Sequence, residues 1–147
     1  MAINVEVTGA KELIAELRDL PDSFQKPVIL KLSQVAYDSA QKGAGRHVVT
    51  GALFQSLYNR AIPGGREVGH DPNRAPHAVF VNFGYRAHEV TPTKKKALRW
   101  VGPNGLFWFS KGHEIPAYRG DPYIVKAKDD ALAQFSAIVD KTLKGAL

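Results

Sequence analysis

The 147-residue sequence predicts an α+β fold: an antiparallel sheet of four to five strands, with two N-terminal helices and one long C-terminal helix packed on it. Three observations lead there. Both ends of the chain carry apolar residues at helical spacing. The middle carries short apolar runs bounded by proline, glycine and asparagine. Those runs are joined by tight turns, not by the helical crossovers that parallel strands require. The length suits one domain spanning 1–147.

Ile3, Val5 and Val7 alternate with polar residues and predict a short first strand. Leu13, Ile14, Leu17 and Leu20 predict a short helix that Pro21 stops. A second helix starts near Asp22 or Ser23, both good N-caps, although Pro27 sits early in it. Its stripe runs through Phe24, Val28, Leu32, Val35, Ala36 and Ala40, and Gly43 and Gly45 end it. Ala36, Ser39, Ala40, Gly43 and Ala44 give it a small-residue face that another backbone can approach closely.

Pro63-Gly64-Gly65 predicts a hairpin between runs at 57–62 and 66–69. Residues 71–76 read as a loop, and 77–83 as a strand apolar on nearly both faces, central in its sheet. No clear element is predicted at 84–96, so 84–92 is expected to leave the sheet as a long arm. Gly102-Pro103-Asn104-Gly105 predicts a second hairpin, loaded with Trp100, Phe107, Trp108 and Phe109. A lone domain rarely buries both faces of such a hairpin, so one face is expected to meet another chain or a covering helix. Asp121-Pro122 opens the last helix and Gly145 closes it.

Composition narrows the function. The absence of cysteine excludes disulfides, a thiol nucleophile and thiolate metal sites. No apolar run approaches the ~20 residues of a membrane span, and Met1 to Thr8 lacks the pattern of a signal peptide. The net charge is +6 and is concentrated centrally, with fourteen basic and five acidic residues at 42–128. Such a centre suits nucleic acid, an acidic partner surface or plain solvation. No phosphate-binding glycine loop or nucleophile elbow is present. His47, His70, His77, His88 and His113 lack metal-site spacing. The triplets His88-Glu89-Val90 and His113-Glu114-Ile115 suggest either a composite site or two similar loops bonding backbone. No enzyme, cofactor, metal, membrane or small-molecule substrate is expected.

Several short signatures then add up in order and spacing. They are Thr50-Gly51-Ala52-Leu53-Phe54-Gln55-Ser56, Phe80-Val81-Asn82-Phe83-Gly84, His88-Glu89-Val90-Thr91-Pro92 with Ala97-Leu98-Arg99-Trp100, and Pro122-Tyr123-Ile124 with Ala127. Over about residues 8–140 the chain resembles the tail-component family of long-tailed bacteriophages, also described as tail-completion or neck proteins. The resemblance implies a structural virion protein in the neck or tail, assembled in the host cytoplasm. It implies a hexameric ring at the head–tail junction or top of the tail, with other neck and tail proteins as partners and double-stranded DNA passing through. Asn82 and Tyr85 stand where the family often has Glu and Thr.

A ring needs a heterologous contact, one face of each subunit meeting a different face of the next. The expected subunit contacts are Gly84, Tyr85, His88, Val90 and Pro92 of the arm, with Trp100, Phe107, Trp108 and Phe109 of the hairpin. Lys94, Lys95, Lys96 and Arg99 are the expected contacts to DNA or an acidic partner, a solvated loop being the alternative. A basic nucleic-acid-binding module is the second functional expectation.

Overall fold

The computed structural model describes residues 21–145. The strand expected near 3–7 and the helix expected near 13–20 lie outside the described residues. In chain order the elements are α1 (Asp22–Ala44), a 3-10 turn (Gly45–His47), α2 (Ala52–Gln55), β1 (Leu57–Ile62), β2 (Gly65–His70) and α3 (Ala78–Phe83). There follow β3 (His88–Val90), β4 (Leu98–Val101), β5 (Phe107–Ser110), β6 (His113–Ile115), α4 (Tyr123–Ala133) and α5 (Phe135–Lys144). The fold is α+β, with small antiparallel sheets. The described residues form two compact units: 21–76 together with 123–145, and His77–Pro122.

In the first unit α1 is the organiser. It packs against α4, α5, β1 and β2. The carbonyl of Pro21 accepts from the backbone N–H groups of Phe24 and Gln25, which satisfies the start of the helix without a side-chain cap. Pro27 is carried inside it, one turn in, at the cost of one backbone hydrogen bond. The small-residue face does what its composition predicts. Ala40 and Ala44 are fully buried, and a Cβ on Gly43 would overlap the side chain of Tyr123. Ala36 is half-buried. The β1–β2 hairpin turns through Pro63-Gly64, with Ile62 paired to Gly65 and Gly64 at φ +77°.

Four sequence expectations change. The strands do not join one sheet of four to five members. Among the described residues they form three separate two-stranded ladders, β1–β2, β3–β6 and β4–β5. The long C-terminal helix is interrupted at Gln134, whose N–H bonds back three residues to Ala131 before α5 begins.

Residues 78–83 are helical where a central strand was expected. A short continuous apolar run does not distinguish the two by periodicity. The residues buried are Ala78 and Asn82, four apart on one helical face, while Phe80 and Phe83 are exposed. Finally, 84–92 is no free arm. Its β3 segment pairs with β6, and Tyr85 bridges to Tyr118.

Candidate functional site

The second unit is a short helix carrying a long two-stranded ribbon. Its base is a pair of glycines, Gly84 at φ +78° and Gly120 at φ +82°. A Cβ on Gly84 would strike the backbone of Tyr118 and Arg119, and one on Gly120 would strike Phe83 and Gly84. Only glycine fits both the torsion and the approach. Tyr85 and Tyr118 then exchange backbone hydrogen bonds of 2.8 and 2.9 Å, and the N–H of Asp121 donates to the carbonyl of Val81 at 2.9 Å.

From this base the two strands run together. His88 pairs with Ile115, Glu89 with Glu114 and Val90 with His113. The two similar triplets are therefore the two halves of one antiparallel ladder, not a pair of loops. His88 Nδ1 lies 2.9 Å from the carbonyl of Arg86, a backbone bond of the kind expected, whereas the buried Nδ1 of His113 has no hydrogen-bond partner among the described residues. The register then breaks. Seven residues, 91–97, bulge from one strand opposite only two, 111–112, on the other, and pairing resumes at Leu98 with Ser110. Lys94, Lys95 and Lys96 are exposed in this bulge.

The distal ladder pairs Arg99 with Phe109, Trp100 with Trp108 and Val101 with Phe107. Residues directly opposite share a face, and successive residues alternate. One face therefore carries Leu98, Trp100, Trp108 and Ser110, and the other Arg99, Val101, Phe107 and Phe109. The rings of Trp100 and Trp108 meet edge to face at 6.3 Å. Trp100 also lies 5.1 Å from the ring of His113, which ties the distal ladder to the basal one across the bulge. The Trp108 indole covers Gly102, where a Cβ would overlap it. On the opposite face the Arg99 guanidinium sits 4.4 Å over the Phe107 ring. The turn closes by a bond from the Gly102 N–H to the Leu106 carbonyl at 2.8 Å, with Gly105 at φ +76°. Eight paired levels at ~3.3 Å each amount to about 26 Å of paired strand along the ribbon.

Trp100, Val101, Leu106, Phe107, Trp108 and Phe109 are 37–66% exposed. A second aromatic group lies at the base: Phe80 and Tyr85 at 6.4 Å, and Tyr85 and Tyr118 at 5.7 Å, with Phe83 one turn along the helix from Phe80. Of the contacts expected from sequence, Tyr85, His88, Trp100, Phe107, Trp108 and Phe109 are exposed, and Gly84, Val90 and Pro92 are half-buried. The arm and hairpin, anticipated as separate contacts, are the two ends of one ribbon.

The first unit holds a set of residues whose joint role the sequence did not show. Ser56 Oγ donates to the Leu53 carbonyl at 2.7 Å and lies 2.7 Å from His70 Nδ1. His70 Nε2 lies 2.7 Å from the Tyr123 hydroxyl. With the Ser56 proton committed to Leu53, the His70 tautomer that carries its proton on Nδ1 donates to Ser56 and accepts from Tyr123 at Nε2. The relay joins the end of α2, the end of β2 and the start of α4. Ser56 and Tyr123 are buried, as are Leu53 and Ala127. Members of two quoted signatures thus meet in one core joint, and Ser56 closes its turn on the Leu53 carbonyl.

Among the described residues no three His, Asp or Glu side chains gather to hold a metal ion. An open groove lined by Ser23, Phe24, Pro27, Lys31, Lys141, Thr142 and Gly145 has neither carboxylate nor imidazole on its walls. Among the described residues no helix is long and apolar enough to cross a membrane. Compared with known proteins, the chain matches no family model, no curated protein and no solved structure.

Proposed function

We propose that the protein is a structural virion component of a long-tailed phage, forming a ring at the head–tail junction or top of the tail. The observation that carries the reading is the ribbon: an arm with about 26 Å of paired strand whose aromatic side chains are exposed on both faces. Monomeric proteins rarely expose contiguous apolar surface of this extent without a binding role. The resemblance of the ordered signatures supplies the biological setting. Gly84, which ends one of them, anchors the arm, and Ser56 and Tyr123 from two others sit in the core joint. The finer arrangement expected from sequence, helices on a single sheet, belongs to this reading only if ladders from neighbouring subunits join in the ring.

The test is removal of the gene from its phage. The reading predicts filled heads and separate, unjoined tails by electron microscopy. Normal virions and normal titre overturn it.

A second reading, a basic nucleic-acid-binding module, is favoured by Lys94, Lys95, Lys96, Arg99 and Lys111 around the bulge, with no acidic residue between Val90 and His113. Binding to random duplex DNA would then fall with salt on a log–log slope of about 0.9 per phosphate contacted. A flat response removes it.

A further inference from the structure

The ribbon carries two aromatic patches with different charged neighbours. At the distal end Trp100, Phe107, Trp108 and Phe109, with Val101 and Leu106, are flanked by Arg99, Lys111 and the lysine bulge. At the base Phe80, Phe83, Tyr85 and Tyr118 lie next to the ladder where Glu89 and Glu114 stand directly opposite each other. These two glutamates are the only acidic residues between 77 and 120. Arg86 and Arg119 lie below them, toward the helix. Like charges opposed across a ladder are destabilising. Both carboxylates are exposed, and among the described residues neither has a cationic partner.

We infer that the distal end of one arm docks on the base of the arm of a second copy of this chain. Two features of the surface select that occupant. The first is charge: docking brings Arg99 and Lys111 to the unrelieved pair Glu89 and Glu114. The second is area. Four partly exposed aromatics at roughly 100 Å² each, with Val101 and Leu106, offer on the order of 500 Å² of apolar surface at the tip. The base offers on the order of 350 Å² from its four rings. One side of a standard interface needs about 800 Å², of which about 450 Å² is apolar. The tip reaches that apolar area and the base supplies most of it. They are also different surfaces at opposite ends of one element, which a head-to-tail contact demands. The contact deepens the ring reading and rests on it for the premise that copies assemble.

Mixing complementary variants tests it. The tip variant is Phe107→Ser with Phe109→Ser; the base variant is Phe80→Ser with Phe83→Ser. A second pair reverses charge, Arg99→Glu with Lys111→Glu against Glu89→Lys with Glu114→Lys, and guards against misfolding of the aromatic variants. Melting temperature and circular dichroism establish that each is folded. Native mass spectrometry and sedimentation then read association. Wild type assembles and each variant alone associates at least tenfold more weakly; an equimolar mixture of the aromatic variants recovers one tip-to-base contact as a heterodimer, and an equimolar mixture of the charge variants recovers both contacts and assembles further. A wild type that stays monomeric to about 1 mM, or folded variants that assemble like wild type, overturns the contact. Wild-type assemblies of two copies retain the contact but overturn the ring. Rings that survive both pairs of variants retain the ring and overturn the contact.

Discussion

The two units differ in how many of their large side chains they bury. In the first, Tyr123, Val28 and Phe135 are buried, and Tyr123 packs on Gly43 of α1. In the second, Phe107, Trp108 and Phe109 are exposed on a ribbon of two strands. A two-stranded ladder alone is marginal in water. The ribbon is held by its base: two glycines, a tyrosine bridge and a backbone bond from Asp121. The first unit is therefore where stability is made, and the second is where surface is offered.

Matched substitutions sharpen that contrast. Phe135→Ala should destabilise by about 3–5 kcal/mol, the cost of a large core truncation, whereas Phe109→Ala should change the main unfolding transition by less than about 0.5 kcal/mol. Urea titrations of both variants measure the difference. Equal costs would break the comparison. Ala40→Leu should cost roughly 1–3 kcal/mol by overpacking α1, and an unchanged melting temperature would show that this face has room to spare. Tyr123→Phe keeps the ring and removes the hydroxyl, leaving His70 Nε2 without that donor. A loss of about 1 kcal/mol is expected, and a neutral result would show that the relay contributes nothing net.

The smallest effect concerns the surface of β1 and β2. Glu67 accepts from Arg60 Nε at 2.9 Å and from the Tyr58 hydroxyl at 2.9 Å. Arg60, first, and Tyr58 hold its carboxyl below the usual range. A depressed carboxyl stabilises the fold above its unfolded pKa, and the contribution is lost as pH falls through the lower folded value. Glu67→Gln should thus be slightly less stable than wild type near neutrality, with the gap closing below about pH 4. Both groups are largely exposed, so solvent screening keeps the effect small. A gap that widens in acid contradicts the assignment.

What the sequence disclosed follows the range of the forces involved. Turns set by local torsion were legible: Pro63-Gly64 and Gly102 to Gly105 both form the hairpins their glycines demand. So was the small-residue face of α1, because close packing leaves a compositional trace. The helix at 78–83 was not. Its valines and phenylalanines favour strand, and the decision falls to burial of Ala78 and Asn82 and to the glycine stop at Gly84. The pairing of His88-Glu89-Val90 with His113-Glu114-Ile115 escaped because an intervening hairpin separates the partners, and nothing local encodes a ladder across it. The Ser56–His70–Tyr123 relay escaped for the same reason. His70 and Tyr123 are 53 residues apart, and neither stands in a motif with the other.

The central claim is that the arm is bare in one copy and covered in an assembly. Trp100 and Trp108 are the chain's two tryptophans, and both lie on the distal ladder. Intrinsic fluorescence therefore reports on the arm alone. At low concentration the emission should be red-shifted and readily quenched by acrylamide. It should shift to the blue and become protected as copies associate, in step with the mass measured by sedimentation. An emission maximum and quenching constant that do not change while the mass rises would contradict the account.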